Sequence, residues 1–109
     1  MSGDFEALSA AALDYLRGQL EQEAAFDVEE KGDGVIELEF EDGSKMVVNR
    51  HAAAREIWVA ARSGGFHFRW DGAAWRDTRD GSELFAALSK LISAQSGVPV
   101  AVPPPPSRG

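Results

Sequence analysis

Residues 35–50 read VIELEFEDGSKMVVNR, two alternating apolar–polar runs joined across Asp42-Gly43. A period of two places Ile36, Leu38 and Phe40 on one face of a strand and Glu37, Glu39 and Glu41 on the other. In the second run Met46 and Val48 return to the first face. An Asp-Gly pair between two such runs is a hairpin turn, so this stretch specifies antiparallel strands with one buried face. Upstream, AFDVE (25–29) adds Phe26 and Val28 to the buried face and Asp27 and Glu29 to the other. Downstream come EIWVAA (56–61), FHFRW (66–70) after Ser63-Gly64-Gly65, and a short AAWRD (73–77) after Asp71-Gly72.

The period changes at both ends. From Asp4 to about Ala24 an amphipathic helix is expected, with Phe5, Leu8, Ala12, Leu16 and Leu20 as its stripe, Leu13 and Tyr15 widening it, and Asp14, Arg17 and Glu21 opposite. After Asp80-Gly81, helical spacing returns at Leu84, Phe85, Leu88, Leu91 and Ile92, with Asp80 or Ser82 as the expected cap and Gly97 as the stop. The predicted fold class is α+β: a two-layer sandwich with two helices on one face of an antiparallel sheet of about six strands. The domain is expected over residues 1–98. Residues 99–109, with four consecutive prolines, are expected to form a mobile tail against which only Val98, Val100 and Val102 argue.

A chain of 109 residues supports one core. It has no cysteine, which excludes disulfides, thiolate catalysis and sulfur-ligated metal sites. No apolar run approaches membrane-spanning length and no charged-then-apolar leader precedes the first helix, so a cytoplasmic protein without a membrane role is expected. The net charge of −7 is unevenly spread: residues 1–42 carry thirteen carboxylates and two cations, the remainder five carboxylates and nine cations. Such a dipole does not suit nucleic acid. Its acidic half suits cations or basic protein surfaces.

Catalytic constellations are missing. His51 and His67 are separated by two strands, and there is neither a nucleophile elbow nor a phosphate loop, so no enzyme is predicted. The acidic run is the better candidate. Glu21 and Glu23 are followed by Asp27, Glu29, Glu30 and Asp33, oxygen ligands that bind hard cations weakly. The same ridge is also what a solvated, solubilising face looks like. Trp58 poses a separate question, because it falls with Glu56 on the face away from Ile57 and Val59. An exposed indole forgoes about 4–6 kcal/mol of burial. Neighbouring outer-face side chains, the Val98–Val102 segment or a partner must cover it.

Taken together, Asn49-Arg50, Glu56-Ile57-Trp58-Val59-Ala60, Gly64-Gly65-Phe66-His67-Phe68, Trp75 and Asp80-Gly81, preceded by GVIELEFEDGSKMVVNR, resemble the bacterial frataxin (CyaY) family. The resemblance covers nearly the whole domain. It implies a helix–sheet–helix sandwich acting as an iron-binding adaptor and regulator of iron–sulfur cluster assembly, which docks on a cysteine desulfurase and a scaffold protein. It further implies weak Fe²⁺/Fe³⁺ binding through Glu21, Glu23, Asp27, Glu29 and Glu30, with Asp14 and Asp33 at the margins, other divalent cations being able to substitute. Partner contact falls to Trp58 and Asn49, with Arg55 and Glu56 beside them. A monomer is expected, with iron-dependent oligomers as a variation. The alternatives are an iron-storage or ferroxidase-type protein and a metal-independent acidic binding module. Arg17, Gly18 and Gln22 stand where the family often has carboxylates, which implies a lower iron capacity; His51, Ala52, Ala53 and Glu56 replace its usual Gln- and Pro-containing pattern.

Overall fold

In the computed structural model, which describes residues 5–32 and 34–105, the alternating runs form six strands. They are β1 (Phe26–Glu30), β2 (Val35–Phe40), β3 (Lys45–His51), β4 (Glu56–Ala61), β5 (Gly64–Trp70) and β6 (Trp75–Asp77), flanked by α1 (Phe5–Leu20) and α2 (Leu84–Ser96). The sheet is an antiparallel meander in the order β1-β2-β3-β4-β5-β6. Short turns impose this order, since each strand can only pair with the one before it. At the β2–β3 turn, Asp42 Oδ1 accepts from the Ser44 backbone N–H at 2.9 Å and from its hydroxyl at 2.6 Å.

One face of the sheet carries the core. Ile36, Leu38, Phe40, Met46, Val48, Ile57, Val59 and Phe68 are buried against Ala12, Leu13, Leu16 and Leu20 of α1 and Leu84, Phe85, Leu88 and Ile92 of α2. Tyr15 meets Phe85 edge-on at 5.5 Å and thereby joins the helices. Trp75 is 3 % exposed and packs edge-on against Phe5, at 6.0 Å, and Trp70, at 5.5 Å. Both helices thus occupy the same layer, and among the described residues no helix lies over the opposite sheet face.

Three boundaries differ from the expectation. Helix α1 ends at Leu20 rather than near Ala24, and tight turns follow, with Gln22 N donating to Gln19 O and Glu23 N to Leu20 O. The reason is that Leu20 is the last stripe residue the core can use; the next buried side chain, Phe26, is already in β1. Helix α2 is capped by neither Asp80 nor Ser82. Glu83 accepts from Phe85 N at 2.9 Å and Ala86 N at 3.0 Å, because a bridge between Arg76 and Glu83 keeps the chain extended up to that point. Gly97 closes α2 as expected, in the left-handed region at φ 81°.

The third difference concerns the boundary at residue 98. Val100 and Val102 are 6 % and 4 % exposed and belong to the core. Ser93 Oγ donates to Val100 O and accepts from Val100 N at 2.8 Å, while Ser89 Oγ accepts from Val102 N at 2.8 Å. Two serines one helical turn apart thus satisfy alternate residues of an extended segment. Tyr15 Oη then donates to Pro103 O at 2.8 Å. Packing on the helical layer thus continues past residue 98, as far as Pro103. Asp4 and residues 106–109 lie outside the described residues.

Candidate iron ridge and sheet docking face

Of the predicted metal ligands, Asp33 lies outside the described residues. Five of the others divide into two groups that face different ways. Asp14 projects from α1, Glu21 from the turn directly after it and Glu30 from the end of β1, and all three surround Arg17. Its Nη2 is 3.5 Å from Asp14, its Nη1 3.4 Å from Glu21 and its Nε 3.6 Å from Glu30. These contacts, Glu21 first, raise the arginine's pKa further. A cavity of about 50 Å³ beside it is lined by Asp14, Arg17, Glu30, Gly34 and Arg50, among others. Gly34 makes room for Arg50: at φ 80° it adopts a conformation that favours glycine, and a Cβ there would lie 2.9 Å from Arg50 Nε.

Asp27 and Glu29 point instead to the open sheet face. The register pairs Asp27 with Glu39 and Glu29 with Glu37, like charges directly opposite one another. Lys31 offsets the second pair, reaching Glu29 at 3.6 Å and Glu37 at 3.4 Å, and Lys45 adds a contact to Glu37 at 3.7 Å. Among the described residues Asp27 and Glu39 have no ion pair. Glu23 lies in the turn after α1, apart from both groups. Among the described residues no group of three or more His, Asp or Glu is placed to hold a metal ion. The ridge is therefore not a convergent site in this arrangement.

Trp58 occupies the middle of the open face. It is half-buried, and its cover is a pair of imidazoles rather than the Val98–Val102 segment, which packs on the helical side. His51 stacks on one face of the indole at 3.8 Å and 11°, and His67 on the other at 4.5 Å and 10°. The register explains this placement: His67 is directly opposite Trp58 on β5, and His51 is diagonal to it on β3. His51 is held from behind, its Nδ1 accepting from Ala54 N at 3.3 Å.

Glu56, expected at the docking surface, is 7 % exposed and is committed internally. Its Oε1 accepts from the Trp58 indole N–H at 2.8 Å and its Oε2 from Arg69 Nη2 at 2.9 Å, while His67 Nδ1 lies 3.6 Å away. The indole hydrogen bond, opposed by burial and assisted by Arg69, holds the Glu56 pKa below its ordinary value. Asn49 is half-buried opposite Trp58, and its Nδ2 donates to Arg50 O. Arg55 is exposed in the β3–β4 turn at φ 57°.

Across the open face, charge therefore runs from carboxylates on β1–β2, through Asn49, Trp58 and the imidazoles, to Arg69 and Arg76 on β5–β6. The role of Arg17 was visible as i,i+3 and i,i+4 spacing from Asp14 and to Glu21, but its third partner, Glu30, is set by tertiary packing. The alternation in FHFRW already placed His67 and Arg69 outward. Their convergence on Trp58 and Glu56 needed the β4–β5 register.

The comparison with known proteins agrees with this architecture. The family described as "Frataxin-like domain" matches residues 1–98. The iron–sulfur cluster assembly protein CyaY of Dechloromonas aromatica is 57% identical over 95 residues, covering 86% of this chain and 90% of that protein. Its counterpart in Cupriavidus metallidurans is 54% identical over 99 residues, covering 87% and 89%. Among solved structures, frataxin from Psychromonas ingrahamii superposes with a TM-score of 0.80 at 28% identity, covering 90% of this chain and 93% of that one. Similarity of this extent, on a matching helix–sheet–helix sandwich, shows that the chain belongs to the frataxin family, in its bacterial CyaY branch.

Proposed function

We propose that this protein is a non-enzymatic, iron-responsive adaptor and regulator of iron–sulfur cluster assembly, docking on a cysteine desulfurase and its scaffold. One observation carries the reading: a six-stranded sheet face with no covering helix among the described residues, at whose centre a half-buried tryptophan is stacked and hydrogen-bonded in place between acidic and basic strands. A pre-positioned indole contributes contact area at little entropic cost, which is what an interface anchor requires. The flanking carboxylates add attraction to a basic partner surface and supply weak oxygen ligands for Fe²⁺ or Fe³⁺. The role of the similar CyaY proteins, named for iron–sulfur cluster assembly, supports the same pathway here.

Titration against a cysteine desulfurase with and without Fe²⁺ tests this. Trp58→Ala and a Glu21/Glu23/Asp27 charge reversal should each weaken docking at least tenfold, roughly the loss of one anchor. Desulfurase affinity unchanged in both variants would reject the adaptor reading. Assemblies that grow with iron at a fixed stoichiometry would favour iron storage instead. Because iron and partner draw on the same carboxylates, each should change the other's affinity reciprocally.

A further inference from the structure

The polar group and both ring faces of Trp58 are engaged within the chain. Its indole N–H donates to Glu56 Oε1 at 2.8 Å, and its faces lie against His51 at 3.8 Å and His67 at 4.5 Å, with interplanar angles of 11° and 10°. We propose that Glu56, His51 and His67 are positioning residues for docking. They hold the indole in one orientation and leave a partner the carbon perimeter of a three-ring stack. The partner surface that fits it is an apolar slot, neither a hydrogen-bond acceptor nor a cation. The inference rests on the docking role proposed above for Trp58; it adds the residues that set that role and the chemistry that recognises the anchor.

The three contacts come from three strands. Glu56 precedes Trp58 by two residues on β4 and so shares its face, while His67 lies directly opposite on β5 and His51 diagonally on β3. Each removes a different freedom. A ring turned over about χ2 would aim its N–H away from the carboxylate, and the imidazoles fill the spaces into which a change of χ1 would carry it. The holders are themselves held. Glu56 is buried and its Oε2 accepts from Arg69 Nη2 at 2.9 Å, and His51 Nδ1 accepts from Ala54 N at 3.3 Å. A partner's acceptor would reach the indole N–H only by displacing Glu56, and a partner's cation would reach a ring face only by displacing an imidazole. An indole released from these contacts would have to be ordered on binding, which weakens affinity by roughly two- to tenfold.

Affinity for the cysteine desulfurase and its scaffold is measured for Glu56→Ala, His51→Ala and His67→Ala, each alone and combined with Trp58→Ala. Glu56→Gln, His51→Phe and His67→Phe are measured beside them, since they keep the acceptor or a stacked ring. His67 is exposed, so His67→Ala tests the stack without disturbing a buried group. The indole ¹H–¹⁵N signal of Trp58, identified by its loss in Trp58→Phe, reports the ring in every variant. Each alanine variant should weaken docking by roughly two- to tenfold when Trp58 is present and have no further effect in Trp58→Ala, because it acts through the indole. The conservative variants should recover most of that loss. The indole signal, single and slow to exchange with solvent in wild type, should broaden or exchange faster in Glu56→Ala and be restored in Glu56→Gln.

Wild-type affinity in the three alanine variants, with Trp58→Ala still weakening docking, would overturn the positioning and leave the docking role of Trp58 intact. An equal loss with and without the indole would also overturn it, by showing direct contact between these side chains and the partner. A loss in Glu56→Ala with an unmoved indole signal would do the same. Unchanged affinity in Trp58→Ala would overturn both the positioning and the docking role.

Discussion

Glu56 binds three neighbours with one buried carboxylate: the indole N–H of Trp58, the guanidinium of Arg69 and, more distantly, His67. Removing it strands a half-buried donor and a cation. Glu56→Ala should cost about 1–3 kcal/mol in chemical denaturation, and Glu56→Gln less, since its carbonyl still accepts from the indole. The pH dependence has a defined sign. Because the folded-state pKa lies below the ordinary 4.5, the stabilisation is fully present above pH 4.5 and is lost as pH falls through the folded value. Urea midpoints measured from pH 6 down to about pH 3 should therefore fall more steeply for wild type than for Glu56→Gln; parallel curves would refute the role of the carboxylate.

At the scale of elements, β1 and β2 present a conflict. Their apolar faces, Phe26 and Val28 opposite Phe40 and Leu38, demand this register, and the period of two then forces Asp27 against Glu39 and Glu29 against Glu37. Core burial outweighs the repulsion, because a like-charge cross-strand pair costs only about 0.2–1 kcal/mol. Asp27→Asn or Glu39→Gln should accordingly stabilise the protein by about 0.5 kcal/mol. Added salt should raise the wild-type melting temperature and raise that of either variant less, as followed by thermal denaturation. The Glu29–Glu37 pair already has Lys31 and Lys45 against it, so neutralising Glu29 should gain less. The strands and turns here were legible from alternation and from Asp-Gly, whereas the lysine bridges were not. They depend on where long side chains reach after the hairpin has formed.

At the scale of the molecule, the C-terminal segment completes the helical layer. It runs along α2 through Ser89 and Ser93 and reaches Tyr15 of α1, burying Val100 and Val102 on the way. Val100→Ala and Val102→Ala should each cost about 1–2 kcal/mol in chemical denaturation. Truncation after Gly97 should cost more than either, and a truncated protein of unchanged stability would refute the closure. The open sheet face balances this arrangement: with both helices and the C-terminal segment on one side, the rings stacked on Trp58 among the described residues are its two imidazoles, and the charged strands β1 to β6 leave their outer face open.

The sequence by itself determined whatever depends on neighbours along the chain. Period two between residues 26 and 77, period 3.6 at either end, glycine turns and the absence of cysteine led to the sandwich, its core residues and the outward placement of Trp58. The acidic and basic halves were equally plain. Only the tertiary structure decided that Arg17 reaches Glu30, that His51 and His67 enclose the indole, that Glu56 is buried rather than presented, that Glu83 rather than Asp80 or Ser82 caps α2, and that Val100 and Val102 belong to the core. The physical reason is common to all of these. Periodicity reports which face a residue occupies, while ion pairs, ring stacks, caps and closing contacts are set by register and packing between elements distant in the chain.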